Sequence, residues 1–318
     1  MFVLEFEKPI LALKSKIEEL KRLQEDEKIV LTEEIKKLEK KSKELEITTC
    51  SNLSSWEKTQ LSRHPLRPFS LDFIEKCTEG FIELHGDRQF RDDPSIVGGF
   101  CKIEGISFLV VGHQKGRNTT ENLKRNFGMP HPEGYRKALR LMKLANKFRI
   151  PILTLIDTAG AYPGIGAEER GQSDAIAVNL REMAGFAVPI ICIIMGEGGS
   201  GGALALGVGN RVLMFEHSIY SVITPEGCAS ILWRDGSMAR EASKNLKYTA
   251  QDLLGFKIID QIIPEPLGGS HNDPQKALYS MKEIILSNYK ELAKLSGTEL
   301  IEARYQKFRQ IGEFVEAS

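Results

Sequence analysis

The densest chemical signal in the chain is a run of bare backbone. Gly196-Glu197-Gly198-Gly199-Ser200-Gly201-Gly202 holds five glycines in seven residues. It follows the apolar run Pro189–Met195, which reads as a buried strand, and opens a small-residue stretch, Gly201–Gly209, that reads as a tightly packed helix. Glycines between a strand and a helix bring peptide N–H groups to one point, and fixed donors of that kind suit an oxygen that takes up negative charge. The plainer reading is close packing or a positive φ, which glycine also serves. A second loop, Asp157-Thr158-Ala159-Gly160-Ala161-Tyr162-Pro163-Gly164, follows another apolar strand, Pro151–Ile156, and leads into a helix. Loops at the carboxyl ends of such strands are where α/β proteins place their chemistry. Neither loop carries a nucleotide fingerprint, since no Lys-Ser/Thr closes a phosphate loop and the glycine spacing fits a dinucleotide motif only through its richness.

The side chains near these loops offer alternatives. His113 in Gly112–Arg117 reads as a structural hydrogen bonder or, with Lys115 and Arg117, as an anion contact. Asp157 ends a strand and reads as a loop cap or a base. Glu168 and Glu169 suit the start of a helix. Ser200 lacks enough flanking strand for a nucleophile elbow and reads as a loop hydrogen bonder. Asp87 and Arg88 read as a turn-stabilising ion pair.

Several long, ordered blocks resemble one family: Gly112–Arg117, Asn126–Met142, Ile156–Gln172, Gly196–Gly207 and Ser221–Trp233, with Arg63–Ile74 and Ile262–Gly269 extending the likeness over nearly the whole chain. They are similar to the alpha subunits of the bacterial-type acetyl-CoA carboxylase carboxyltransferase. Ala159 departs from the pattern, which usually has proline there. The resemblance implies a crotonase-like ββα spiral, in α/β class, with an N-terminal helical hairpin and C-terminal helices. It implies transfer of a carboxyl group from carboxybiotin to acetyl-CoA, giving malonyl-CoA for fatty acid synthesis. It places the backbone oxyanion hole for carboxybiotin at Gly201 and Gly202, with Gly198, Gly199, Ala161, Tyr162, Pro163 and Gly164 around the substrate. Biotin would arrive on a separate biotin carboxyl carrier protein, ATP would be used at the biotin carboxylase, and zinc would sit in the partner beta subunit, with no metal in this chain. An alpha2-beta2 heterotetramer is implied. Related biotin-dependent carboxylases or decarboxylases, a crotonase-type hydratase, a scaffold without catalysis and a nucleic-acid side role are the competing readings.

Composition fits this picture. The 318 residues can bury a large core, and 43 basic against 43 acidic residues leave no net charge for a nucleic-acid or membrane footprint. Five cysteines are scattered with no Cys-x-x-Cys pair, which argues against zinc. The first residues lack a secretory leader, and no apolar run reaches 18 residues, so a cytoplasmic location is expected.

The elements that must position the loops follow from periodicity. Residues 1–49 read as an amphipathic helical hairpin, with Ile10, Leu13, Ile17 and Leu20 on one stripe and Thr32 capping the second helix. Residues 50–95 read as a connecting helical region, 96–270 as the carboxyltransferase core and 271–318 as C-terminal helices. Strands are expected at 100–103 and 107–111, turning at Glu104-Gly105, then at 152–156, 190–195, 212–215, 219–223 and 258–263. Helices are expected at 135–148, 168–184, 201–209 and 244–254, the last capped by Gly255, and after Asp273-Pro274 to about Phe314.

Overall fold

The computed structural model describes residues 2–27 and 31–312. Helices α1 (Lys8–Glu27) and α2 (Thr32–Ser51) form the expected hairpin. Thr32 is the first helical residue, and Leu31 takes the cap position without a side-chain bond. The acidic Glu33 and Glu34 complement the first turn instead.

Short helices α3 (Ser55–Ser62) and α4 (Ser70–Cys77) follow, then strand β1 (Glu79–Glu83). This strand falls in the stretch expected to be helical or turn. It is an edge strand, largely exposed, so its residues show no inward and outward alternation to read. Strands β2 (Ile96–Ile103) and β3 (Ile106–His113) pair antiparallel, turning at Glu104 and Gly105, which have φ of 47° and 76°. Two positive φ values in a two-residue turn match the right-handed twist of a hairpin.

Helices α5 (Thr119–Lys124) and α6 (Pro132–Lys147) lead into β4 (Ile152–Thr158), and α7 (Ile165–Glu169) and α8 (Gln172–Gly185) into β5 (Ile190–Gly199). The one helix expected over 168–184 is two, because Gly171 turns left-handed at φ 78°. Next come α9 (Ser200–Leu204), β6 (Arg211–Phe215), β7 (Ile219–Ser221), α10 (Pro225–Trp233), α11 (Ala239–Asn245), α12 (Ala250–Gly255) and β8 (Gln261–Ile263). The chain closes with α13 (Pro274–Leu292), capped by Asp273 as expected, and α14 (Gly297–Arg309); Phe314 lies outside the described residues.

Three further expectations change at the helices after β5. The helix over 201–209 stops at Leu204, because Asn179 Nδ2 and Thr154 Oγ1 take the carbonyls of Ala205 and Leu206. The helix over 244–254 is split by Lys247 at φ 51° and restarts in a Thr249–Asp252 capping box. Gly255 is the last helical residue, not the cap; the left-handed turn comes at Lys257, φ 59°.

The strands form one sheet in the order β1-β2-β3-β4-β5-β6-β8, with β7 added beside β5. From β3 onward the pairing is parallel. Strands β4 and β5 are buried along their whole length, as central parallel strands must be when helices cover both faces. Phe73, Leu153, Leu155, Ile193, Met281 and Ile285 pack on one face, so α4 and α13 close it. Leu109, Leu141, Met142, Ile156, Ile194 and Leu206 pack on the other, under α6. Strand β5 is the pivot. Its first half pairs with β6 and its last three residues pair with β7. That change of partner opens the sheet where the glycine loop begins.

Candidate active site

The two loops read from the sequence meet backbone to backbone. A Cβ on Gly199 would lie 2.0 Å from the Ala159 carbonyl oxygen, and one on Gly202 would lie 2.5 Å from the Gly160 carbonyl carbon and 2.8 Å from Ala161 N. Only glycine allows this approach. Gly201 is different, because its Cβ would meet nothing nearer than the Ile176 side chain at 3.3 Å. Gly198 and Gly199 are buried in β5 and paired with Tyr220 and Ser221 of β7. Gly201, Ala161, Tyr162 and Gly164 are half-buried and Pro163 is exposed, so the surface of the site is made by these residues with Gly202 just beneath. Gly201 and Gly202 stand second and third in α9, where helix N–H groups have no intrahelical acceptor.

A bulge sets this geometry. The β4–β5 register slips between Ile156 and Thr158, so Asp157 falls out of the ladder. Its N–H turns to His113 Nδ1 at 3.4 Å, and its carboxylate accepts from Glu197 N at 2.9 Å. Lys115 Nζ closes an ion pair with the same carboxylate oxygen at 2.6 Å. Asp157 is therefore a cap, and Lys115 is spoken for. A Cβ on Gly196 would press on that carboxylate at 2.6 Å, which explains the glycine. Arg117 pairs with Asp72, donates to the Pro65 and Arg67 carbonyls, and lies over the Phe69 ring. His113 is fully buried, and desolvation, offset in part by the Asp157 charge, lowers its pKa to about 4. The anion-contact reading of Gly112–Arg117 thus gives way to an internal network.

Ser200 needs a correction as well. β5 reaches Gly199, and Ser200 turns at φ 49°, so the sharp strand-to-helix bend is present. Asp87 pairs with Arg136 at 2.8 Å rather than with Arg88, and its carboxylate caps Gln89, Phe90 and Arg91 N–H groups.

Residues that sequence reading passed over hold the site from below. Arg67 and Glu265 form a buried pair at 2.7 Å, and Arg67 Nη2 also donates to the Met195 carbonyl at 2.8 Å, one residue before the glycine loop. Burial alone would raise the Glu265 pKa; the Arg67 charge and hydrogen bonds bring it down to about 2. Arg63 bridges Glu197 of the loop, at 2.6 Å, and Glu226 of α10, at 2.6 Å. Both arginines lie in the Arg63–Ile74 block and Glu265 in the Ile262–Gly269 block, so the signal was position within long matched blocks. On the exposed side, His131 packs against Tyr162 with the rings tilted at 39° and their centres 4.2 Å apart. Large apolar side chains stand in solvent on the elements that follow the loops: Ile165, Leu204, Val222, Ile231, Leu232 and Trp233.

Among the described residues, Glu7, His64 and His271 are grouped closely enough to hold a metal ion, with ligand atoms within 4.8 Å of one another. Two of the ring nitrogens have other partners: His64 Nδ1 accepts the Leu66 N–H and His271 Nε2 meets Glu7 at 2.9 Å, while the two rings stack 3.9 Å apart and His271 Nδ1 has no hydrogen-bond partner among the described residues. The cluster fastens the hairpin to the body. No helix among the described residues is long and apolar enough to cross a membrane.

Solved structures define the class of this fold. The chain is similar to transcarboxylase 12S, with a TM-score of 0.58 at 19% identity over 70% of this chain and 41% of that one. It is similar to the beta subunit of Pseudomonas aeruginosa geranyl-CoA carboxylase, at 0.55 and 17% over 84% of this chain and 48% of that one. The fold is the crotonase-like α/β fold of carboxyltransferases. Residues 3–312 match the model of the acetyl co-enzyme A carboxylase carboxyltransferase-like family, and the chain belongs to that family. It is 55% identical to the acetyl-coenzyme A carboxylase carboxyl transferase subunit alpha of Geobacillus sp. (strain WCH70), over 98% of this chain and 96% of that one. It is also 55% identical to the subunit alpha of Geobacter metallireducens, over 99% of both.

Proposed function

We propose that this chain is the alpha half of an acetyl-CoA carboxylase carboxyltransferase and that the Gly201–Gly202 turn holds the oxygen that becomes charged during transfer. The observation that carries this reading is the backbone contact between the two loops. It fixes the Gly202 peptide against Gly160 and Ala161 before any ligand arrives. Donors fixed in advance lower a barrier because they need no reorganisation as charge develops, and each is worth on the order of 3 kcal/mol. Biotin, carried by a separate protein, supplies the carboxyl group to be transferred. The half-buried Tyr162 and exposed Pro163 flank the turn and would orient the flat ureido ring. The role of this chain is to bind and polarise. Its buried acids and bases are committed: Asp157 to Lys115, Glu265 to Arg67, and His113 to neutrality.

The exposed apolar residues on the elements that follow the loops support a shared site. Ile231, Leu232 and Trp233 on α10 and Ile165 on α7 are a poor surface for a lone subunit and a good one for a partner. On this reading the zinc-containing beta subunit covers them and brings the acyl-CoA, in a cytoplasmic alpha2-beta2 assembly served by the biotin carboxyl carrier and the biotin carboxylase. The hairpin of residues 8–51 serves assembly.

The test mixes the purified chain with a beta-type subunit, free biotin and malonyl-CoA. Biotin-dependent loss of malonyl-CoA is expected from the mixture and not from this chain alone. Robust turnover by the isolated chain, shown free of partner by mass spectrometry, would overturn the shared site. Methylmalonyl-CoA turning over faster than malonyl-CoA would move the substrate to a different acyl-CoA.

A further inference from the structure

His113 ends β3 and has no exposed surface. Its Nδ1 accepts the Asp157 N–H, so the proton of the neutral ring sits on Nε2. The ring lies beside the backbone of Leu155 and Gly202. Among the described residues its Nε2–H closes no hydrogen bond. A wholly buried donor left open is rare and needs a reason.

Among the described residues, the Gly202 carbonyl is also left without a hydrogen-bond donor. Helix α9 ends at Leu204, Ala205 N–H returns to the Gly201 oxygen, and Leu206 N–H returns to the Ala203 oxygen. Gly202 is skipped in this tightened turn. A donor without an acceptor and an acceptor without a helical donor thus lie close to one another under the loop. Catalytic contacts are often long in the empty protein and close in the reacting complex.

We propose that His113 is a positioning residue for carboxyl transfer, its Nε2–H holding the Gly202 carbonyl so that the Gly201 and Gly202 N–H groups stay aimed at the charged oxygen. This rests on the reading of that turn as the oxyanion site. The imidazole takes no part as acid or base. Asp157 and Lys115, the charged groups nearest it, neutralise each other in their ion pair, and burial keeps the ring uncharged. What it adds is a stiff donor inserted from β3. Side-chain donors of this kind act through the geometry they impose.

The test uses the complex with the beta-type subunit and three variants, His113→Gln, His113→Asn and His113→Leu. Glutamine can place an amide N–H where Nε2 stands; asparagine reaches only the Nδ1 position. Asparagine and leucine are expected to lower kcat for biotin-dependent malonyl-CoA loss by at least about tenfold, with KM for malonyl-CoA unchanged. Glutamine is expected to recover most of the loss. Thermal melting and size-exclusion elution of each complex control for folding and assembly. If leucine fails to fold, the glutamine and asparagine pair decides alone. Equal activity of these two, or a KM that rises in step with the fall in kcat, would overturn the role. If Gly202→Val is fully active, the oxyanion reading of the loop fails and this inference with it. If Gly202→Val is inactive while all three His113 variants match the wild type, only the role of His113 fails.

Discussion

The glycine loops and the N-terminal hairpin are held to the same body by opposite means. The loops touch through backbone, with Gly199 and Gly202 lying so close to Ala159 and Gly160 that one methyl group would not fit. Below them, buried charges clamp β5 through Arg67 and Glu265. The hairpin touches through side-chain ends. His271 meets Glu7 at 2.9 Å, Phe2 stands edge-on to His64 at 5.0 Å, and Lys14 pairs with Glu46 within the hairpin. Only a few of its apolar residues are buried, Ile10, Ile17 and Ile35 among them. A cavity of about 270 Å³, lined by Phe6, Ile10, Cys50, His64 and His271, remains where it meets the body. Donors for a charged oxygen must be fixed before the charge forms, so their setting tolerates no slack. An element whose proposed role is assembly needs only enough contact to be presented.

Unclamping the site should have the largest effect. Arg67→Met leaves the Glu265 carboxylate buried and unpaired, and should cost about 3–5 kcal/mol of stability in urea unfolding. A loss below about 1 kcal/mol would mean water or a neighbouring donor replaces the guanidinium.

The loop itself comes next. Gly202→Val should lower biotin-dependent turnover of the complex at least about a hundredfold, the low end for losing such a donor, with little change in malonyl-CoA affinity. Gly201→Ala should stay within about threefold of wild type, because its new methyl meets only the yielding end of Ile176. Equal losses at both glycines would remove the distinction drawn here between them. A Gly202→Val variant that folds, assembles and turns over normally would move the site toward Asp157–Gly164.

Deleting residues 1–48 removes nearly all of the hairpin. The body should keep its fold and melt within a few degrees of the full chain, while the complex with its partners weakens about tenfold or more in sedimentation or pull-down titration, as expected for loss of an interface element. Retention of native affinity would refute the assembly role.

The smallest effect concerns pH. Burial, then the neighbouring His271 charge, pushes the His64 pKa down to about 4, against the Glu7 charge, which favours the protonated ring. With the folded value below the unfolded one near 6.5, the docked hairpin binds fewer protons than the free one. Docking is therefore complete above about pH 6.5 and weakens as pH falls toward 4. Glu7 is itself held below its usual range, chiefly by His271 against the cost of burial, so its own loss comes only at the acid end. Hydrogen exchange of residues 2–27 at pH 7.5 and 5, corrected for the intrinsic exchange rate at each pH, should show lower protection at pH 5, and His64→Gln should flatten the difference. No change between the two pH values would exclude His64 as part of the latch.

Much of the scaffold was legible because its signals are local. The apolar runs at Ile152–Ile156 and Ile190–Met195, the Glu104-Gly105 turn and the Asp273-Pro274 helix start carry their reasons within a few residues. The misses have tertiary causes. Strand β1 has no periodicity because it is an exposed edge, α9 is cut short by Asn179 and Thr154 from elsewhere in the chain, and Arg67 finds Glu265 across 198 residues. Asp157 could be read as a cap or a base, and only the slipped register beside β5 assigned its carboxylate to Glu197 N and Lys115.

The order of residues is enough to make this chain an α/β carboxyltransferase relative with two glycine loops after apolar strands. Composition, runs of buried residue types and long ordered blocks are properties of the chain, and they survive without coordinates. The tertiary structure alone decided which glycines are irreplaceable. Gly202 and Gly201 are identical neighbours in the sequence, yet one lies against the backbone of Gly160 and the other against a side chain that can move. That distinction depends on distances between loops some 40 residues apart, and it arises only when parallel strands β4 and β5, paired with a bulge at Asp157, carry both loops to the same edge of the sheet.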